Sequence, residues 1–161
     1  MASGSAVVAI LVSNPALSAL LAATLAGSPS LRIRPFESEV ALVTYMRLAP
    51  VDMLVVDLDD AVGGERLCRR LRADTQLDRR DFQVIALSAR IDAALRAASL
   101  AAGIDEVLVK PMSPRYLLER VLARLTRRPA PAPDLPRRAP PRQAAWPANV
   151  VPLFPGLQPQ G

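Results

Sequence analysis

Short apolar runs alternate with longer amphipathic ones over residues 1–128, and no other feature of this chain constrains its fold as tightly. A short apolar run can bury a strand on both faces. A longer run with apolar positions three and four apart buries one side of a helix. Alternating the two makes βα units, whose right-handed crossovers give a parallel sheet covered on both faces. Residues 6–12 read as the first strand and 15–26 as the first helix, closed by Gly27. A short second strand spans 31–34, a helix spans 39–48 and stops before Pro50, and 53–56 form an all-apolar, central third strand. The third helix covers 65–73, with Leu67, Cys68 and Leu71 on one face and Arg66, Arg69, Arg70 and Arg72 mostly on the other. Residues 84–87 read as the fourth strand, 93–102 as a helix ended by Gly103, and 107–109 as the fifth strand. The last helix is the best marked. Ser113 is placed as its N-cap, Pro114 suits its first position, and Leu117, Leu118, Val121, Leu122 and Leu125 make its apolar stripe. Arg124, Arg127 and Arg128 lie at its end, where the helix dipole favours cations. The predicted fold class is therefore α/β: a doubly wound, five-stranded parallel sheet flanked by helices.

Composition divides the chain in two. At 51% hydrophobic, its 161 residues can bury a core, but ten of the 16 prolines fall from Pro129 onward. This sets a domain over 1–128 and a Pro/Arg-rich tail, read as disordered, over 129–161. The tail has an apolar island at 145–154, in which Trp146 and Phe154 are the candidate partner-binding residues. Arg127, Arg128, Arg137, Arg138 and Arg142 against Asp134 account for +4 of the formal net charge of +5. The body is thus close to neutral and carries no nucleic-acid footprint. Arginine charge in the tail is all that speaks for binding nucleic acid.

Several kinds of chemistry are excluded. With no histidine, neither His-dependent catalysis nor imidazole metal ligation is open to the chain. A single cysteine, Cys68, rules out an internal disulfide and reads as core packing beside Leu67 and Leu71. The apolar start over 6–25 lacks a preceding Lys or Arg and is broken by Ser13, Asn14 and Pro15, so it reads as strand, turn and helix of a cytoplasmic protein. No apolar stretch is long enough for a membrane span.

Ligands of doubly wound sheets bind beyond the carboxyl ends of the strands. That edge would carry Val12, Ser13, Asp57, Ser88 and Lys110. Lys110 is the only lysine among 20 basic residues, which suggests a site that needs a compact ammonium rather than a planar guanidinium. Asp57 ends the apolar run of the third strand, so opposite charges meet at one edge.

Three motifs end at this edge: Val51-Asp52-Met53-Leu54-Val55-Val56-Asp57-Leu58, Val84-Ile85-Ala86-Leu87-Ser88-Ala89 and Ala102-Gly103-Ile104-Asp105-Glu106-Val107-Leu108-Val109-Lys110-Pro111-Met112. With them the chain resembles, over about residues 6–128, the bacterial response-regulator receiver domain, of the CheY-like, flavodoxin-like superfamily. The third motif is the most specific. The resemblance implies Asp57 as phosphoacceptor, Ser88 as the switch hydroxyl and Lys110 as the cation that pairs with the phosphoryl group. A carboxylate nucleophile with an ammonium and a hydroxyl facing the developing charge is chemically sound for phosphoryl transfer. The resemblance also implies Mg²⁺ held by two acids after the first strand, but those positions are Val12 and Ser13, the degraded acid pair. Asp57, helped by Asp59 or Asp60, would then make a weak metal site, since Mg²⁺ prefers octahedral oxygen ligands including carboxylates. The turn Asp59-Asp60-Ala61-Val62-Gly63-Gly64 either returns the missing acids from another direction or is a solvated turn before a helix; the second reading is adopted. The aromatic switch position of the family is Val107.

The expectation is an atypical receiver, not an enzyme, that signals through protein–protein contact. Its partner would be a signalling protein such as a histidine kinase, and homodimerisation is compatible with the sequence. The alternative is a phosphorylated regulator with an altered metal site. Tyr116 reads either as a partner contact or as packing over the fifth strand. A flavin or nucleotide binder of the same architecture is disfavoured, because Ser13-Asn14-Pro15-Ala16-Leu17-Ser18 lacks the glycines that bring backbone N–H groups to phosphate.

Overall fold

A computed structural model describes residues 4–60 and 63–127. The 129–161 tail, with Trp146 and Phe154, lies outside the described residues. Five βα units follow in order: β1 (Ala6–Leu11), α1 (Pro15–Ala26), β2 (Leu31–Phe36), α2 (Glu39–Leu48), β3 (Met53–Asp57), α3 (Gly64–Ala73), β4 (Gln83–Ser88), α4 (Ala93–Ala101), β5 (Glu106–Val109) and α5 (Pro114–Thr126). The strands form one parallel sheet in the order β2-β1-β3-β4-β5. None of the described helices is long and apolar enough to cross a membrane.

The period-two alternation of each strand separates two cores. Ala9, Leu11, Leu54, Val56, Val84 and Ala86 face Leu42 and Met46 of α2 and Leu67, Cys68 and Leu71 of α3. Val8, Ile10, Met53, Val55, Ile85 and Leu87 face Leu21 and Leu25 of α1 and Leu117 and Val121 of α5. β3 is buried along its whole length, as a central parallel strand must be. Cys68 is fully buried, and that burial pushes its thiol pKa up to about 12, consistent with packing rather than redox chemistry.

The element ends shift from the sequence reading for physical reasons. β2 runs two residues further, through Pro35 to Phe36; it is an edge strand, where a missing N–H costs the ladder nothing. β1 stops at Leu11, which leaves Val12 beyond the strand with its side chain still buried. The arginines also do more than the sequence reading gave them. Arg120 and Arg124 reach across to Glu106 at the start of β5, with Nε–Oε distances of 2.6 and 2.7 Å. Burial raises the Glu106 pKa, but the two guanidiniums outweigh it and hold the carboxyl below its ordinary range.

α4 ends in a Schellman turn. Gly103 takes the left-handed conformation (φ 79°), Ile104 N–H donates to Ser99 O at 3.0 Å and Gly103 N–H to Leu100 O at 3.1 Å. A Cβ at Gly103 would also come within 3.0 Å of the Arg72 side chain. Gly103→Ala is therefore expected to cost about 1–2 kcal/mol in urea unfolding, from the left-handed backbone alone. A loss below a few tenths of a kcal/mol would show that the turn relaxes freely.

Candidate functional site

The register of the sheet assembles the site from strand ends. Asp57 pairs with Leu87, and Ser88 pairs with Val109, so the residues that close β3, β4 and β5 come to one edge. Lys110 follows β5 directly, its N–H donating to Ser88 O at 2.8 Å. The Lys110–Pro111 peptide is cis. Asp57, Ser88 and Lys110, which the motifs singled out, thus meet in space.

Lys110 forms a triad with two carboxylates, Asp57 and Asp59, rather than a pair with one. Lys110 Nζ lies 2.7 Å from Asp57 Oδ2 and 2.9 Å from Asp59 Oδ2. The Asp57 side chain is 4% exposed, Lys110 23% and Asp59 40%, so one ammonium serves a buried carboxylate and a half-open one. The other Asp57 oxygen, Oδ1, accepts the Asp59 N–H at 2.9 Å. Both Asp57 oxygens are therefore engaged by the chain itself.

Asp59 collects further donors. Its Oδ2 accepts the Ala89 N–H at 2.7 Å, and its Oδ1 lies 3.2 Å from Ser88 Oγ. That hydroxyl is also 2.7 Å from Arg90 O, and its single proton cannot serve both acceptors at once. The shorter contact to Arg90 is the stronger one. The Asp59 carboxyl is held below its ordinary range, chiefly by the hydrogen bond from Lys110, with burial opposing and Ala89 and Ser88 assisting. Burial pulls the Lys110 ammonium down, but its bonds to Asp57 and Asp59 prevail and raise its pKa overall.

Around the β1–α1 loop the donor set is poor in charge. Val12 offers only its backbone carbonyl, Ser13 is exposed, and Asn14 turns its side chain to cap α1 through Ala16 and Leu17 N–H. One carboxylate does reach this loop. Asp60 Oδ2 accepts the Ser13 N–H at 2.7 Å. Asp59 and Asp60 do lie in a turn open to solvent ahead of α3, and their carboxylates are in addition tethered, one to the Lys110 cluster and one to the loop after β1. Among the described residues, no three His, Cys, Asp or Glu side chains group as metal ligands.

The remaining candidates sit apart. Val107 is half-buried and packs against the α2–α3 core, and Tyr116 is 47% exposed on the first turn of α5. Motif reading missed the Ala89 N–H, because a backbone donor has no side-chain signature. Its one trace in the sequence is its place directly after the strand-ending Ser88.

The chain matches the family described as "Response regulator receiver domain" over residues 8–122. Among curated proteins it is 40% identical over 77 residues to the phosphate regulon transcriptional regulatory protein PhoB of Rhizobium meliloti, covering 47% of this chain and 33% of that one. It is 30% identical over 115 residues to the DNA-binding response regulator MtrA of Mycolicibacterium smegmatis, covering 71% and 48%. The chain thus spans a third to a half of the length of these relatives. In architecture it is similar to a response regulator from Thermotoga maritima, with TM-score 0.66 and 24% identity over 76% of this chain and 98% of that one. A second structure, a response regulator from Chloroflexus aurantiacus, has the same score, identity and coverage.

Proposed function

The chain belongs to the response regulator receiver domain family of two-component signalling, and from that premise we propose that it is a cytoplasmic, non-enzymatic receiver that signals by protein–protein contact without depending on Mg²⁺-assisted phosphorylation of Asp57. One observation carries the reading. Both Asp57 oxygens are engaged by donors of the chain, Lys110 Nζ at 2.7 Å and the Asp59 N–H at 2.9 Å, and the side chain is nearly closed to solvent. A carboxylate so held is a poor nucleophile until one of those bonds is released.

The oxygen donors near Asp57 point the same way. Mg²⁺ keeps near-ideal octahedral oxygen coordination and is usually anchored by carboxylates. Here Val12 and Ser13 supply none, and Asp60 is tied to Ser13 N–H. The residues present do not fit the ion, and no step of the proposed function passes through it.

The alternative is a phosphorylated regulator with an altered metal site, whose partner is a histidine kinase. The convergence of Asp57, Ser88 and Lys110 at one edge favours it, since those groups could receive and hold a phosphoryl group. Incubation with acetyl phosphate and millimolar Mg²⁺, read by intact mass, separates the two. The proposed reading expects no phosphoryl adduct. An adduct that disappears in Asp57→Asn would establish the alternative.

A further inference from the structure

Two of the strongest donors at the sheet edge, the Ala89 N–H and the Lys110 ammonium, converge on one acceptor, and that acceptor belongs to the chain. Both meet Asp59 Oδ2, at 2.7 and 2.9 Å, while Ser88 Oγ stands 3.2 Å from Asp59 Oδ1. A backbone N–H and an ammonium aimed at one oxygen, with a hydroxyl beside the other, form an oxyanion site. Ala89 is exposed and Lys110 also pairs with Asp57, so water could meet these donors, yet here a carboxylate of the chain meets them. The Asp59 Oδ2 and the Asp57 Oδ2 both touch the same Nζ, which puts the Asp59 carboxylate next to the position that a phosphoryl group on Asp57 would take.

We propose that Asp59 is a built-in anion that fills the oxyanion site of Ala89, Ser88 and Lys110 and holds the Ser88–Ala89 segment in its anion-bound arrangement. An external oxyanion, whether free or carried on Asp57, must displace it. This deepens the reading above and rests on it only in placing the signalling site at this edge. Asp59 can be displaced without opening the core: its side chain is 40% exposed, and its tether to Asp57 runs through its own backbone N–H. The Ser88 hydroxyl is poised for the exchange. Its proton now points mainly to Arg90 O at 2.7 Å and can turn to an incoming oxygen.

The test compares the full chain with Asp59→Ala and Asp59→Asn, following the Ala89 amide resonance by ¹⁵N–¹H NMR during titration with inorganic phosphate. Asp59→Ala should shift the Ala89 amide strongly in the absence of phosphate. It should also gain a saturable phosphate response at least about tenfold tighter than the parent chain, because the donors are then free. Asp59→Asn keeps an oxygen acceptor for Ala89 but loses the charge facing Lys110, so its gain should be intermediate. Adding Lys110→Met to Asp59→Ala should abolish the response. Equal phosphate affinity in the parent and Asp59→Ala, or an Ala89 amide unmoved by the substitution, would overturn the proposal. If Asp59→Ala fails to fold, the Asn variant decides by the same criterion. Inorganic phosphate carries no leaving group and only binds, so a parallel incubation of the parent chain with acetyl phosphate, read by intact mass, reports a covalent adduct separately. An adduct on Asp57 in the parent chain would count against phosphorylation-independent signalling while leaving this comparison able to pass or fail by itself.

Discussion

Lys110→Met should lower the unfolding free energy of the protein by about 3–5 kcal/mol, whereas Asp57→Asn should cost only about 1–2 kcal/mol, near the value of a single hydrogen bond. The asymmetry follows from the triad. Removing the ammonium leaves the 4%-exposed Asp57 carboxylate uncompensated and brings a second carboxylate, Asp59, close to it with no cation between them. Removing the Asp57 charge leaves Lys110 still paired with Asp59 at 2.9 Å, and an asparagine can still accept the Asp59 N–H that Asp57 Oδ1 takes now. The double variant should be milder than the sum of the two, with a coupling of roughly 0.5–3 kcal/mol in a double-mutant cycle. Equal costs for the two single variants would mean that Asp59 does not share the ammonium, and additive costs would mean that Lys110 and Asp57 do not interact. Urea unfolding monitored by circular dichroism measures all four corners of the cycle.

The same triad marks where sequence reading reached and where it stopped. Strand ends and their residues were legible, because an all-apolar run such as Met53-Leu54-Val55-Val56 has to be a buried strand and Asp57 has to stand at its edge. The meeting of Asp57 with Lys110 follows from parallel strands that share an edge, and it is found at 2.7 Å. What Asp59 does was not legible. Its contacts are to a backbone N–H on β4's exit and to a lysine already assigned to another acid, and two consecutive aspartates in a turn carry no sign of which way each points. Asp60 points the other way, to Ser13, for the same unreadable reason of loop path. Helix termini were more legible: Ser113, Pro114 and Gly103 act where their local chemistry requires. The arginines of α3 were only half legible, since a helical wheel sorts charge from apolar surface but does not show a long side chain reaching back over the core.

Arg72 reaches back in this way and covers the Phe82 ring. Phe82 is fully buried just before β4 in the α2–α3 core, and the Arg72 guanidinium lies over its ring, 4.3 Å from the centroid. The same guanidinium donates to Arg80 O at 2.7 Å and Gly103 O at 2.9 Å, joining the approach to β4 to the turn before β5. Phe82→Ala should therefore cost about 3–5 kcal/mol, the range for emptying a buried aromatic position. Phe82→Leu should cost less, since it retains most of the apolar volume and forfeits mainly the cation–π contact, about 0.5–2 kcal/mol. Arg72→Ala should fall between these and should be non-additive with Phe82→Ala, because the ring and the guanidinium lose the same contact. Asp105, which follows the Gly103 turn, accepts the Val84 N–H at 2.7 Å, so loosening Arg72 should also speed amide exchange at Val84 and along β5 ahead of Lys110. Strict additivity of Arg72→Ala and Phe82→Ala, with unchanged exchange in β5, would reduce Arg72 to the solvated arginine that its place on the helix suggested.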